Sequence, residues 1–166
     1  DAAVAAAAVQ GVTRPYSGGI GGGGIMHVYL EEEDRFVILD HRSESSENFG
    51  PDAFLDSETG LIYPESTRIS SGMATAVPGA VKAWEEALQA YGTMSLSDVL
   101  QPAIKVAEEG FVADDNFIRE TSENANRFQL FDSTREIYLG ENGAVPQPGT
   151  IMKNPDLAKT YRLIAE

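Results

Sequence analysis

The chain has 166 residues, with 12 Lys and Arg against 26 Asp and Glu, two His and no Cys, for a formal charge of −14. That length fits one domain with a real core, and the acidic balance argues against nucleic acid or an anionic membrane surface as partner. Without cysteine there is no disulfide framework, thiolate nucleophile or zinc ribbon, and no apolar run approaches the roughly 20 residues that span a bilayer.

Asp1 to Gln10 is rich in alanine and valine and is expected to be helical, with Gly11 as the residue just past its end. No capping residue precedes Asp1, so the segment reads as the middle of a helix, and Leu157 to Glu166 reads as a helix without a stop signal. Both ends are therefore expected to be cut. Ile25 to Leu30 and Phe36 to Leu39 are apolar runs separated by Glu31-Glu32-Glu33-Asp34-Arg35, the pattern of a hairpin with a charged tip. Because neither run alternates apolar with polar, the pair is expected to be covered on both faces.

Arg42 to Ser71 is rich in Ser, Glu, Gly and Pro and reads as a long loop, a length that usually has a function. Pro78 marks the first turn of a helix carrying Val81, Trp84, Leu88 and Tyr91 on one side, closed by Gly92. Ser95-x-x-Asp98 has the form of a capping box opening a second helix through Ala107, with Gly110 as its stop and Pro102 as an expected kink or break. Asp114 to Gln129 is a weaker helical segment with Phe117, Ile118, Ala125 and Phe128 on one side. Tyr138 to Thr150 is turn-rich. Asn154-Pro155 starts a last helix with Leu157, Tyr161 and Ile164 in one stripe. No internal repeat is present.

The run Gly18-Gly19-Ile20-Gly21-Gly22-Gly23-Gly24 contains the G-x-G-x-x-G spacing of a dinucleotide loop. That loop needs a strand before it and a helix after it, so that phosphate meets a helix N-terminus. Here the order is reversed, and the nucleotide reading fails on context. The glycines are better suited to positive φ and close backbone approach where a helix turns into a strand. His27 and His41, the only histidines, lie in no metal-ligand spacing, and no metal or cofactor is expected. The acidic clusters Glu31-Glu32-Glu33, Glu108-Glu109 and Asp114-Asp115 read as solvated faces.

Several blocks in one order resemble the large subunit of the gamma-glutamyltransferases: Asp1-Ala2-Ala3-Val4-Ala5, Gly21 to Gly24 with Met26, Asp40-x-Arg42, Ser71-Gly72, Val77-Pro78-Gly79, Tyr91-Gly92-Thr93, Gln101-Pro102-Ala103, Glu109-Gly110-Phe111 and Asn154-Pro155-Asp156-Leu157-Ala158. The resemblance covers essentially the whole chain. It implies an α+β fold class, a mostly helical portion of the αββα sandwich of N-terminal nucleophile hydrolases, with at least one buried strand pair. Residues 1–166 would then be a single incomplete domain, with a small subunit from the same precursor as partner and a gamma-glutamyl compound such as glutathione as substrate. The resemblance also implies a periplasmic, extracellular or cell-surface location.

In that family the nucleophile is the threonine that processing exposes at the start of the small subunit, which uses its own amine as base. Asp1 is the terminus here, and Thr13, Thr59, Thr67, Thr75, Thr93, Thr121, Thr134, Thr150 and Thr160 are internal, so no catalytic residue is expected in this chain and the chain alone is expected to be inactive. The resemblance assigns Arg42 to the α-carboxylate of the glutamyl group, a role that suits a bidentate, always-charged guanidinium. The other reading of Arg42 is a surface arginine paired with Asp40 or Glu44. Family members usually continue from the arginine with glutamate, a variable residue, alanine and proline, whereas Ser43-Glu44-Ser45-Ser46 follows here. This puts in question which carboxylate steadies Arg42. Two further readings stay open: a cephalosporin-acylase-like relative taking glutaryl groups, and a non-catalytic homologue serving as a binding or scaffold module.

Overall fold

A computed structural model describes residues 1–166. In chain order the main elements are α1 (Ala2–Thr13), β1 (Ile25–Leu30), β2 (Arg35–Asp40), α2 (Glu65–Ile69), α3 (Ala80–Tyr91), α4 (Leu96–Glu109), β3 (Phe111–Val112), α5 (Asp115–Phe128), α6 (Asp132–Tyr138), β4 (Ile151–Met152) and α7 (Pro155–Ala165). No helix is long and apolar enough to cross a membrane. The chain divides into two compact units, one formed by Asp1–Ile20 with Val81–Glu166 and the other by Gly21–Ala80.

The first unit is built on α4, which packs against α1 and α7. Its buried face is Val99, Leu100, Ala103, Ile104 and Ala107, the 3.6-residue stripe expected from the sequence. Ala8, Ala103, Ala107 and Ala158 are all fully buried, and side chains this small let helix backbones approach closely. Gly11 belongs to this packing. The helix runs through it to Thr13 rather than ending there, because the position is chosen by a neighbour: a Cβ on Gly11 would lie 2.8 Å from Gly19 Cα and 2.9 Å from the Tyr161 hydroxyl. The Tyr161 hydroxyl itself donates to the Ala8 carbonyl at 2.9 Å, joining α7 to α1.

Asp1 stands at the N-cap position of α1, but its carboxylate does not cap that helix. It accepts instead from the Thr93 amide at 3.0 Å, the Thr93 hydroxyl at 2.7 Å and the Met94 amide at 3.2 Å, tying the chain start to the turn between α3 and α4. In α3 the buried face is Ala80, Ala83, Trp84, Ala87 and Leu88, while Tyr91 is exposed. The face has rotated from the expected stripe toward the alanines, where close approach is available. The helix starts at Ala80, two residues after Pro78.

Ser95 and Asp98 form the expected capping box: the Ser95 hydroxyl accepts from the Asp98 amide at 3.1 Å and the Asp98 carboxylate accepts from the Ser95 amide at 3.2 Å. Pro102 does not break α4. It lies on the solvent side, as does Asp98 four residues earlier, so the carbonyl deprived of its helical donor faces water. Asp114 and Asn154 cap α5 and α7, accepting from the Phe117 amide at 2.8 Å and the Leu157 amide at 3.0 Å.

A second apolar cluster holds Ala113, Phe117 and Met152, with Tyr16, Phe111, Ile118 and Tyr138 packed against it. Tyr16 stacks on Phe128 at 5.8 Å and hydrogen-bonds Thr121, whose hydroxyl donates to the Phe117 carbonyl at 2.8 Å. The short pair of β3 and β4, antiparallel with Phe111 opposite Met152, and helix α6 have no counterpart in the sequence expectations for this stretch.

Burial pushes the Tyr161 hydroxyl up to about 12 from its ordinary value near 10. The folded protein then keeps a proton that the unfolded chain gives up, so this group's stabilisation is full below about pH 10 and is lost as pH rises from about 10 to 12. Denaturant midpoints should fall over that window by the equivalent of about 2 kcal/mol from Tyr161. Tyr161→Phe should remove that part of the fall; an unchanged alkaline profile in the variant would contradict the assignment.

The second unit is a hairpin followed by an ordered loop. β1 and β2 pair antiparallel from Ile25 opposite Asp40 to Leu30 opposite Arg35. Their junction is a 3-10 turn over Glu31–Glu33 with Asp34 left-handed at φ 45°. The expected strand pair is present, but its cover differs from expectation. Met26, Val28, Val37 and Leu39 form a half-buried face, while Ile25, Tyr29, Phe36 and Ile38 face solvent, Phe36 at 72% exposure. Burial alternates even though the residues do not, because this chain supplies cover for one face only.

The loop after the hairpin is fixed by local bonds. Asp56 accepts from the Glu58 and Thr59 amides at 3.0 and 2.8 Å and from the Thr59 hydroxyl at 3.0 Å, and these donors hold its carboxyl below the usual range. Arg68 lies over the Phe54 ring at 5.9 Å.

Candidate functional site

The site lies where the hairpin runs out into the loop. Past Asp40 the ladder continues by one pair, His41 donating to the Gly24 carbonyl at 2.9 Å and Gly24 to the His41 carbonyl at 3.3 Å. Three residues further, Glu44 and Val77 exchange amide and carbonyl bonds at 3.2 and 2.8 Å. Residues 41–44 are thus bonded on one side to the glycine run and on the other to the segment before α3.

Two glycines make that clamp possible by having no side chain. A Cβ on Gly23 would lie 2.6 Å from the Ser43 nitrogen and overlap the His41 carbonyl oxygen. One on Gly79 would lie 2.5 Å from the His41 carbonyl oxygen and 3.1 Å from its carbon. Within the glycine run positive φ occurs only at Gly19, at 121°, so Gly23 is explained by close backbone approach rather than by handedness.

Arg42 sits in the middle of the clamped segment and is exposed. Its amide donates to Asp40 Oδ1 at 3.1 Å, which commits that carboxylate to the backbone. The guanidinium makes no ion pair with Asp40 or Glu44, so the reading of Arg42 as a paired surface arginine does not describe this geometry. Glu44 contributes backbone bonds and does not steady the arginine. Arg42 instead lines a recess of about 470 Å³ together with Gly23, Gly24, Ile25 and Ser43. No carboxylate is part of that lining. Its one formal charge is positive, and a guanidinium mounted at a strand end and free of internal partners has parallel donors open to a planar anion.

His41 packs behind Gly24, whose Cβ would lie 3.3 Å from its Cε1, and its Nδ1 is buried without a partner. His27 is exposed opposite Ile38. No three His, Asp or Glu side chains converge on a point that would hold a metal ion. The threonines serve structure: Thr93 binds Asp1, Thr121 binds Tyr16, and Thr13, Thr150 and Thr160 donate to nearby carbonyls. A second recess, about 640 Å³ between Gln129 and Gly143, contains Arg135, which is already paired with Asp132 at 2.8 Å. Sequence reasoning had found Arg42 but missed Val77 and Gly79 as part of its mounting. The signal available was Val77-Pro78-Gly79 itself, a block that makes sense only as a turn pressed against another backbone.

The structure thus presents a helical unit and a hairpin whose outgoing segment, held against Gly23 and Gly79, carries an arginine without an internal partner. The gamma-glutamyltranspeptidase family matches over residues 1–166. The chain is 38% identical over 164 residues to the glutathione hydrolase proenzyme of Bacillus subtilis strain 168, a match that covers 99% of this chain and 27% of that relative. It is 36% identical over 169 residues to the acylase ACY 1 proenzyme of Pseudomonas sp. strain V22, covering 99% of this chain and 30% of the relative. Among solved structures, the Helicobacter pylori gamma-glutamyltranspeptidase superposes with a TM-score of 0.93 at 32% identity, over 99% of this chain and 46% of that one. The chain belongs to the gamma-glutamyltranspeptidase family, corresponds to the N-terminal portion of its large subunit, and has the α+β fold of that part of an N-terminal nucleophile hydrolase.

Proposed function

We propose that this chain is the part of a gamma-glutamyltransferase and glutathione hydrolase that recognises the acyl donor, with Arg42 binding the α-carboxylate of the gamma-glutamyl group. The observation that carries the proposal is the unpaired Arg42 guanidinium in a recess free of carboxylates, on a backbone clamped by Gly23 and Gly79. Residues 1–166 act as one incomplete domain that the small subunit of the same precursor completes. The exposed face of Ile25, Tyr29, Phe36 and Ile38 supports this, because the pair has cover on one side only. The small subunit brings the nucleophilic threonine, and the acyl group passes to water or to an amino-acid acceptor. The parent protein works in the periplasm, outside the cell or at its surface, a setting compatible with the −14 charge.

The test compares acyl donors. The full-length protein should release chromophore from a gamma-glutamyl anilide faster than from the matching glutaryl anilide, and the 166-residue chain alone should release none. Turnover by the chain alone would overturn the division of labour. Preference for the glutaryl donor would favour the acylase reading, which the 36% identity to an acylase proenzyme keeps in view. A full-length protein that neither processes nor turns over either donor would make the chain part of a non-catalytic homologue.

A further inference from the structure

Arg42 by itself leaves a bound carboxylate under-bonded. A carboxylate offers about four lone-pair sites and a guanidinium fork fills two of them. Beyond Arg42 the recess is lined by the backbones of Gly23 and Gly24, by Ile25 and by Ser43, so Ser43 carries the one remaining side-chain donor. Neither the Ser43 hydroxyl nor its amide has a protein partner. The nearby carboxylates do not compete for the hydroxyl: Asp40 holds the Arg42 amide, and Glu44 is fixed through its backbone to Val77.

We infer that Ser43 is a second binding residue for the acyl donor's carboxylate, its hydroxyl donating to an oxygen lone pair that Arg42 leaves open, and that the pair selects donors with a free carboxylate at this position. The inference rests on the assignment of Arg42 to that carboxylate. A hydroxyl adds directional hydrogen bonding without cancelling the arginine's charge. Recognition then has two components, a charge from Arg42 and a directional bond from Ser43.

The experiment uses the full-length protein with two gamma-glutamyl-type anilides, one with the free α-carboxylate and one lacking that group. Ser43→Ala should raise KM for the carboxylate donor about ten-fold, the loss expected for one hydrogen bond to a charged group, with kcat within about two-fold. Ser43→Thr, which keeps the hydroxyl, should recover most of the affinity, and Ser43→Ala should match the wild type on the donor without a carboxylate. An unchanged KM for the carboxylate donor, or an equal loss on both donors, overturns the inference. Arg42→Ala separates the two readings. A raised KM there with none in Ser43→Ala removes Ser43 alone, and no effect in Arg42→Ala removes both.

Discussion

Arg42→Lys in the full-length protein is expected to raise KM for glutathione about ten-fold or more, and Arg42→Ala about 100-fold or more, with much smaller changes in kcat. The reasoning is geometric. The guanidinium is planar and offers parallel donors that match a carboxylate, while an ammonium is a compact point charge with no fixed fork. Lysine therefore keeps the attraction and loses the orientation, and alanine loses both. Truncating one partner of a hydrogen-bonded charge pair costs about 2–5 kcal/mol, and 100-fold lies in the lower part of that range. The α-carboxylate is remote from the acyl carbon that reacts, so the loss falls on binding shared by ground and transition states and appears in KM. Steady-state kinetics with glutathione give the answer, and an unchanged KM in either variant would refute the role of Arg42.

Gly23→Val is expected to damage both stability and donor binding, although Gly23 offers no functional group. The added Cβ would overlap the His41 carbonyl and lie 2.6 Å from the Ser43 nitrogen. Both are backbone atoms, and the His41 carbonyl is held by the Gly24 amide, so no rotamer change relieves the clash. Overpacking costs typically about 1–3 kcal/mol, and here the strain falls on the segment that presents Arg42. The full-length variant should show a fall in thermal midpoint together with a KM increase of at least about ten-fold, one decade per 1.4 kcal/mol. Gly21→Ala is the control, because nothing lies within 4 Å of its Cβ position and its φ is not positive. That variant should behave as wild type. Equal effects at Gly21 and Gly23 would mean that the run matters for flexibility and not for the approach to residues 41–43.

The two glycines also explain how far the sequence could be read. The helical elements were legible because their signals are local: the Ser95 and Asp98 capping box, Asn154 before Pro155, and the stripe through Val99, Leu100, Ala103, Ile104 and Ala107 all act within a few residues. The end of α1 was misread because a glycine at Gly11 has the same local signature whether it stops a helix or admits Tyr161 from 150 residues away. The break allowed for at Pro102 is absent for a related reason, since whether a proline ends a helix depends on whether the orphaned carbonyl faces water. The pairing of β3 with β4 joins two residues to two others about 40 positions later, which is too short a pattern to carry periodicity. Arg42 was reached through the family blocks. Its clamp needs Gly23, Val77 and Gly79 at once, and no single stretch of sequence contains all three.

The hydrogen bond from Tyr161 to the Ala8 carbonyl closes a separation of 153 residues. On a ribosome adding about 5–20 residues per second, that interval takes roughly 8–30 s. The hairpin that leads to Arg42 needs only its own two strands and can close within microseconds once they emerge. Helix α1, with 12 residues and an apolar face, is marginal alone and has to wait for α4 and α7. The arginine's mounting strand can therefore form before α1 has found its place against α4 and α7.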